Sequence, residues 1–319
     1  MIILAIESSC DETAMAIVED GRKILSNTVY TQIAIHTMYG GVVPEVASRE
    51  HIKKVTYVLD DALKQAGLTL DDIDAVAVTK EPGLIGSLMV GVNTAKTISL
   101  CFNKPLIYVN HIHGHIYANY LEEDFNFPLL ALVVSGGHTE LVLMKDHMDF
   151  EILGETLDDA VGEAYDKVAR VVGVGYPGGP IIDKMASQGV PVYPLPHIKL
   201  SKDSLDFSFS GLKSAVINLC HNANQRGETI DANNLAASFQ TAVIDVLVSK
   251  TSKAATMHNV KQVIIAGGVA ANKGLRCAMK DAMDELNIKL TVPQFKYCTD
   301  NAAMIAAAGY YKYIKEQKN

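Results

Sequence analysis

An α/β protein of two like lobes, each ordered βββαβαβα, is predicted by three features of the sequence. Two segments 126 residues apart share one pattern: "IILAIESSCDETAMAIVEDGRKIL" near the start and "LLALVVSGGHTELVLMKDHMDFEIL" from residue 129, with Ser9 over Ser135 and Thr13 over Thr139. Each segment is followed by the same succession of helix, strand, helix, strand and helix. The composition, 49% hydrophobic and 20% charged over 319 residues, belongs to a packed globular chain with room for about two domains.

The repeated segments are apolar runs split by a tight polar turn and a charged turn, which reads as a β-meander with a small-residue hairpin at its tip. In the first lobe the helix "SREHIKKVTYVLDDALKQAG" follows, with Ile52, Val55, Leu59 and Leu63 in one stripe and Gly67 as C-cap. The strand "DAVAVT", a glycine-rich turn leading into the helix "EPGLIGSLMVGVNTAKTISL", the strand "PLIYVN" and a histidine-rich helix complete the lobe. The second lobe continues with the helix "LAASFQTAVIDVLVSKTSKAA", the strand "QVIIA", "GGVAANKGLRCAMKDAMDEL", the strand "IKLTVP" and the closing helix "NAAMIAAAGYYKYIKE". It carries an insertion at about residues 154–234. The lobes are expected at 1–110 and 111–319.

Two such units related by a pseudo-two-fold axis, with an interdomain cleft, are the architecture of the actin, sugar-kinase and acetate-kinase (ASKHA) superfamily; two unrelated α/β domains are the alternative. In that architecture the hairpins "ESSCDET" and "SGGHTE" would hold nucleotide phosphates on backbone N–H groups. Gly136 and Gly137 allow a ligand close to the backbone.

Three histidines crowd "VNHIHGHIYA". On a helix His111 and His115 share a face and His113 points away, towards packing or solvent. The repeat suggests a third ligand in Asp300, at the start of the closing helix. Two imidazoles and a carboxylate suit Fe²⁺ or Zn²⁺. A plain N-cap is the other reading of Asp300. A zinc protease would need H-E-x-x-H, but Ile112 stands where the general base belongs.

Five scattered cysteines without a C-x-x-C pair are expected to be reduced thiols in a cytoplasmic protein. No apolar run approaches the roughly 20 residues of a membrane span, and "MIILAI" is too short for a signal-peptide core. A net charge of −8 lacks the basic character of an autonomous nucleic-acid binder. A local exception is the stretch 199–226, with Lys199, Lys202, Lys213 and Arg226 near Phe207 and Phe209; a solvated loop and helix face is its plainer reading.

Nine ordered segments carry a family resemblance: "AIESSCDETA", "GGVVPEVASREH", "EPGLIGSLMVG", "VNHIHGHIYA", "VSGGHTEL", "GEAYDKVARVVGVGYPGGP", "FSFSGLKSAV", "AGGVAANKGLR" and "CTDNAAMIA". Over essentially its full length the chain resembles the TsaD/YgjD family, formerly labelled O-sialoglycoprotein endopeptidases. The resemblance implies a metal-dependent tRNA adenosine threonylcarbamoyltransferase. It would use threonylcarbamoyl-AMP, act on tRNAs reading codons that begin with A, release AMP, and work with the partner proteins TsaB and TsaE. It also implies metal ligands His111, His115 and Asp300, with iron the usual metal and zinc possible. The implied adenylate site is Val134, Ser135, Gly136, Gly137, His138, Asp166, Gly179, Asp183 and Asn272.

Physical roles accompany these positions. Asp166 and Asp183 can accept from ribose hydroxyls, or be surface carboxylates on helices. Asn272 can contact base or ribose, or serve as an N-cap. Asp11 and Glu12 can orient the attacking amine or a water, or simply make the first turn polar. An ATP-dependent small-molecule kinase and a nucleotide-dependent scaffold, both of the same superfamily, are the rival readings, and neither calls for imidazole metal ligands.

Overall fold

The computed structural model describes residues 1–196, 201 and 203–318. Its first strands are β1 (Ile2–Glu7), β2 (Glu12–Glu19) and β3 (Lys23–Thr31), followed by the short α1 (Ile33–Thr37) and the long α2 (Pro44–Ala66). Then come β4 (Ala75–Glu81), α3 (Ile85–Phe102), β5 (Leu106–Asn110) and α4 (His111–Ala118). The second meander is β6 (Leu129–Val134), β7 (Thr139–Met144) and β8 (Phe150–Glu155). Helices α5 (Val161–Val171), α6 (Gly178–Ala186) and α7 (Ser210–Arg226) occupy the insertion. After it follow α8 (Ala232–Met257), β9 (Gln262–Ala266), α9 (Lys273–Leu286), β10 (Lys289–Thr291), α10 (Phe295–Cys298) and α11 (Ala302–Lys318).

The strands form two five-stranded sheets of one topology, β3-β2-β1-β4-β5 and β8-β7-β6-β9-β10. The repeat extends to register. Leu4 faces Ile17 and Ala5 faces Ala16 in the first hairpin; Leu130 faces Leu143 and Ala131 faces Val142 in the second, all 126 residues on. This is the predicted mixed α/β architecture.

The described chain divides into two compact units, Met1–Asp124 with Pro293–Asn319, and Phe125–Val292. This differs from the expected division after residue 110, because α4 and α11 pack with the first sheet. Period-two alternation explains the attraction. On one face of that sheet Leu4, Ile6, Met15, Ile17, Val76 and Val78 meet Val55, Val58 and Ala62 of α2 and Ala95 and Ile98 of α3. On the other face Ala16, Ala5 and Ala77 form a row of small side chains across three strands. The alanine-rich α11 lies there, so close that a Cβ on Gly309 would sit 2.9 Å from that of Ala77.

Two details of α2 depart from the expected stripe. Gly67 is the left-handed C-cap, but Ile52 is exposed and the buried line is His51, Val55, Val58 and Ala62. His51 is buried because its ring is bonded: Nδ1 lies 2.7 Å from Thr13 Oγ1 and Nε2 2.9 Å from the Cys10 carbonyl oxygen. Helix α3 is long and apolar enough to cross a membrane by length and composition, yet it packs Ser87, Leu88, Gly91, Ala95 and Ile98 inward beside α2 and β4.

In the stretch 199–226, Lys199 and Lys202 lie outside the described residues. Phe207 and Phe209 are fully buried and stacked on each other, so they offer no exposed platform for bases. Lys213 is paired with Asp159 at 3.0 Å and Arg226 with Glu228 at 3.3 Å. All five cysteines are free thiols.

Candidate metal centre and the glycine-rich residues of the second unit

His111 is the first residue of α4, and Asn110 caps that helix by accepting from the N–H groups of Ile112 and His113. One turn on, His115 faces the same way, and the two Nε2 atoms are 3.1 Å apart. Gly114, between them in sequence, lets α11 cross α4: a Cβ there would lie 2.6 Å from Ile305 Cδ1. That crossing brings Asp300 to the histidines, its Oδ1 3.2 Å from His115 Nε2 and 3.5 Å from His111 Nε2. The cap of α11 is Asn301, whose Oδ1 accepts from the Met304 N–H at 3.1 Å. Asp300 is therefore not consumed by the helix end. All three donor atoms lie within 4.8 Å of one another. His113 is half-buried, and burial together with Lys312 pushes it down to about 4.

The spacing suits a metal ion. Metal–nitrogen bonds of about 2.0–2.1 Å place adjacent donors about 2.8–3.4 Å apart, between right-angled and tetrahedral arrangements. The electrostatics agree. Burial opposes charge on Glu7, but the His111 imidazole beside it holds its carboxyl below the ordinary range. Against the same opposition His111 and His115 hold Asp300 at about 2. His111, flanked by Glu7 and Asp300, is raised to about 9 despite its burial. Glu12 goes the other way: burial, then Asp300 and Asp11, push it well above the carboxylate range. Glu7 and Asp300, both held ionised against their burial beside two imidazoles, leave negative charge that a bound cation would offset.

Asp11 and Glu12 are both buried; the Asp11 carbonyl accepts from the Gln32 N–H at 3.0 Å, and Glu12 Oε1 accepts from Thr31 Oγ1 at 3.0 Å. The first hairpin is thus covered. The Ser9 carbonyl accepts from Leu84 N–H at 2.7 Å, Ser8 Oγ donates to the Ser87 carbonyl at 2.9 Å, and a Cβ on Gly83 would meet Ser9 O at 2.6 Å. The carbonyls of Ser9 and Cys10 are thus engaged by the turn before α3 and by His51 of α2, and the Ser9 N–H by Glu7.

The second hairpin is open. Gly136 and Gly137 are exposed, and a Cβ on either would meet nothing within 4 Å; the same holds for Gly179. Ser135 closes the turn: its N–H donates to His138 O, and its Oγ accepts from His138 N–H. From there three helix N-termini are linked in sequence. Ser135 O and Thr139 Oγ1 accept the Gly162 and Val161 N–H groups of α5. Asp166 on α5 accepts from Gly178 N–H of α6 at 2.7 Å, and burial raises its carboxyl. Asp183 on α6 accepts from Lys273 N–H of α9 at 3.2 Å and from Gln240 Nε2 at 3.0 Å. Asn272 is indeed the N-cap of α9, and its Nδ2 donates to Gln240 Oε1 at 2.8 Å. Val134 is buried, and its carbonyl oxygen would lie 2.5 Å from a Cβ on Gly267. Hydrogen bonds at helix N-termini, which favour anions, thus link Ser135, His138, Asp166, Asp183 and Asn272 in this unit.

Sequence reasoning missed Glu7, Thr79 and Gln240. Glu7 had one available signal, a carboxylate ending an otherwise apolar strand. Gln240 had none, lying inside a helix with no motif.

Comparison with known proteins gives a consistent result. A family model described as "tRNA N6-adenosine threonylcarbamoyltransferase" (TsaD) matches residues 23–307. A tRNA N6-adenosine threonylcarbamoyltransferase of Staphylococcus carnosus is 59% identical over 312 residues, 98% of this chain and 91% of the relative. One of Bacillus subtilis is 59% identical over 316 residues, 99% of this chain and 91% of the relative. Among solved structures, component A of (R)-2-hydroxyglutaryl-CoA dehydratase from Acidaminococcus fermentans aligns with TM-score 0.59 at 15% identity, covering 98% of this chain and 99% of that one. Full-length HypF in its phosphate- and nucleotide-bound form aligns with TM-score 0.65 at 12% identity, covering 98% of this chain and 46% of that one. At such identities these two likenesses concern the fold alone, a mixed α/β architecture with two five-stranded sheets.

Proposed function

The chain belongs to the tRNA N6-adenosine threonylcarbamoyltransferase family, and from that membership we propose that it moves the threonylcarbamoyl group of threonylcarbamoyl-AMP onto the adenosine 3′ of the anticodon in tRNAs reading codons that begin with A. The adenosine N6 attacks the carbamoyl carbon, the bond from that carbon to the phosphate oxygen breaks, AMP leaves, and N6 loses one proton. The observation that supports this over phosphoryl transfer is the His111–His115–Asp300 set, since a kinase of this fold does not call for two imidazole ligands.

In this reading the second unit takes the adenylate. Gly136, Gly137 and Gly179 leave backbone bare for it, while Val134, Ser135 and His138 shape the turn. Asp166 and Asp183 keep lone pairs for ribose hydroxyls beyond the N–H groups they already receive, and Asn272 lies next to them through Gln240. His111, His115 and Asp300 hold a divalent metal, Fe²⁺ in preference to Zn²⁺. When bound, that ion supplies Lewis acidity towards phosphate or carbonyl oxygens. Glu12, pushed towards its protonated form, and Asp11 orient the attacking amine or a water. The protein would work in the cytoplasm with TsaB and TsaE, and its charge of −8 favours tRNA capture through a basic partner surface.

The test is mass spectrometry of nucleosides from unmodified tRNA incubated with the chain, its partners, threonine, bicarbonate, ATP and the adenylate-forming enzyme. The modified adenosine and AMP should appear only when the chain is present. No modified adenosine in the complete mixture, or transfer of phosphate from ATP to a small hydroxyl compound by the chain alone, overturns the reading.

A further inference from the structure

Behind His111 stands a carboxylate to which neither the metal set nor the adenylate site assigns a role. Glu7 ends β1, and strand alternation turns it to the face that carries α4 and α11, while Ser8 next to it turns to α3. It is fully buried, and three groups donate to it: Ser9 N–H to Oε1, and Thr79 Oγ1–H and His111 Nδ1–H to Oε2, the last at 3.0 Å. We infer that Glu7 is a positioning residue of the metal centre, which fixes the proton of His111 on Nδ1 and so leaves Nε2 bare towards His115 and Asp300.

The chemistry follows from what a carboxylate can do. Ionised, it only accepts, so the imidazole nitrogen that meets it must carry the hydrogen. An imidazole with Nδ1–H has its lone pair on Nε2, and it is Nε2 that lies 3.1 Å from His115 Nε2 and 3.5 Å from Asp300 Oδ1. Carboxylate–histidine–metal arrangements of this kind orient the ring and raise its basicity, and losing the outer partner typically costs about 10–100-fold in metal affinity or activity. His115 has no such support: its Nδ1 is buried without a hydrogen-bond partner among the described residues. The site therefore holds one ligand by a carboxylate and the other by packing.

Glu7→Gln separates positioning from mere structure. With its oxygen towards Ser9 N–H, the amide NH₂ can donate to a rotated Thr79 hydroxyl and to His111 Nδ1. The contact with His111 is then kept, but His111 is biased to the Nε2–H form, which must shift its proton before Nε2 can bind metal. The inference rests on the metal centre proposed above, and the experiment keeps the two apart. Zn²⁺ affinity is measured by chelator competition for the unaltered chain, Glu7→Gln and His115→Ala, and the tautomer of His111 is read by ¹⁵N NMR in metal-free protein above pH 9, where its ring is neutral. We expect tight binding by the unaltered chain, about 10–100-fold weaker binding by Glu7→Gln at an unchanged melting temperature, and a switch of His111 to Nε2–H. Failure of the unaltered chain to bind, or full binding by His115→Ala, sinks the metal centre itself. Tight binding by the unaltered chain with equal affinity and an unchanged tautomer in Glu7→Gln overturns the role of Glu7 alone. Should Glu7→Gln not fold, Glu7→Asp, which keeps the charge but draws it back from His111, decides by the same measurement: unchanged affinity refutes the inference.

Discussion

The two hairpins share register to the residue and have opposite surroundings. Ser8, Ser9 and Asp11 in the first are buried, with their carbonyls or side chains engaged by groups from outside the hairpin. Gly136 and Gly137 in the second are exposed with empty space above them. The first turn has become a support: its flanking Glu7 and its Ser9 back His111. The second has kept bare backbone next to three helix N-termini. A duplicated framework thus conserves where the strands go and leaves the turns free to differ, one packed behind a candidate metal centre and one with bare backbone.

Substitutions can break that contrast from either side. The largest effect belongs to the ligand face of the first unit. His111→Ala, His115→Ala or Asp300→Ala should each lower metal affinity by at least the roughly 10–100-fold seen for outer-shell losses, while His113→Ala keeps full occupancy. Elemental analysis of the purified variants decides it, and full occupancy in the His111→Ala, His115→Ala double variant would refute the assignment.

Glycine substitutions address the turns themselves. Gly83→Ala drives a Cβ into Ser9 O at 2.6 Å, and should cost about 1–3 kcal/mol of stability as overpacking does. The Cβ that Gly137→Val adds would meet nothing within 4 Å at an exposed turn, so its melting temperature should match that of the unaltered chain. Calorimetry with an AMP-containing analogue should nevertheless show its binding abolished. Equal stability losses in the two variants would erase the distinction between covered and open hairpins.

A smaller effect sits where the second hairpin's sheet gains its insertion. Asp158, just beyond β8, accepts from Phe209 N–H at 2.8 Å and Ser210 Oγ at 2.7 Å at the start of α7. Burial opposes its charge, but Ser208, Phe209 and Ser210 hold its carboxyl below the model-compound value of 3.8. A depressed native value stabilises the fold above the unfolded one and ceases to do so as pH falls through the native one. Asp158→Ala should therefore cost about 1 kcal/mol in denaturant titrations near neutrality. The gap should close progressively below pH 3.8.

The fold was legible where it rests on local pattern. The meander repeats, the βαβα order and the C-cap at Gly67 come from alternation, periodicity and backbone chemistry, which act within a few residues. What escaped depends on partners far along the chain. Ile52 sits in an apolar stripe by spacing, but α2 is rotated by His51, whose burial depends on Thr13 and Cys10. The expected division after residue 110 read element order and could not see that α11 suits a row of alanines in the first sheet. For Asp300 the sequence allows both a ligand and a cap, and it is Asn301 that takes the cap. Asp166 and Asp183 read as surface carboxylates or ribose acceptors, while their observed bonds are to the ends of neighbouring helices.

The seating of α11 has a consequence for the order of events during synthesis. Tyr120 and Tyr311, in hydrogen-bond contact, are 191 positions apart. Asp300, just ahead of the same helix, meets histidines made equally early. A ribosome adding about 5–20 residues per second exposes the first sheet well before the helix that covers its alanine face exists. During that interval the early unit lacks a cover and has only two of its three candidate ligands. A nascent chain stalled before residue 300 would present the two histidines without the carboxylate that completes the candidate centre.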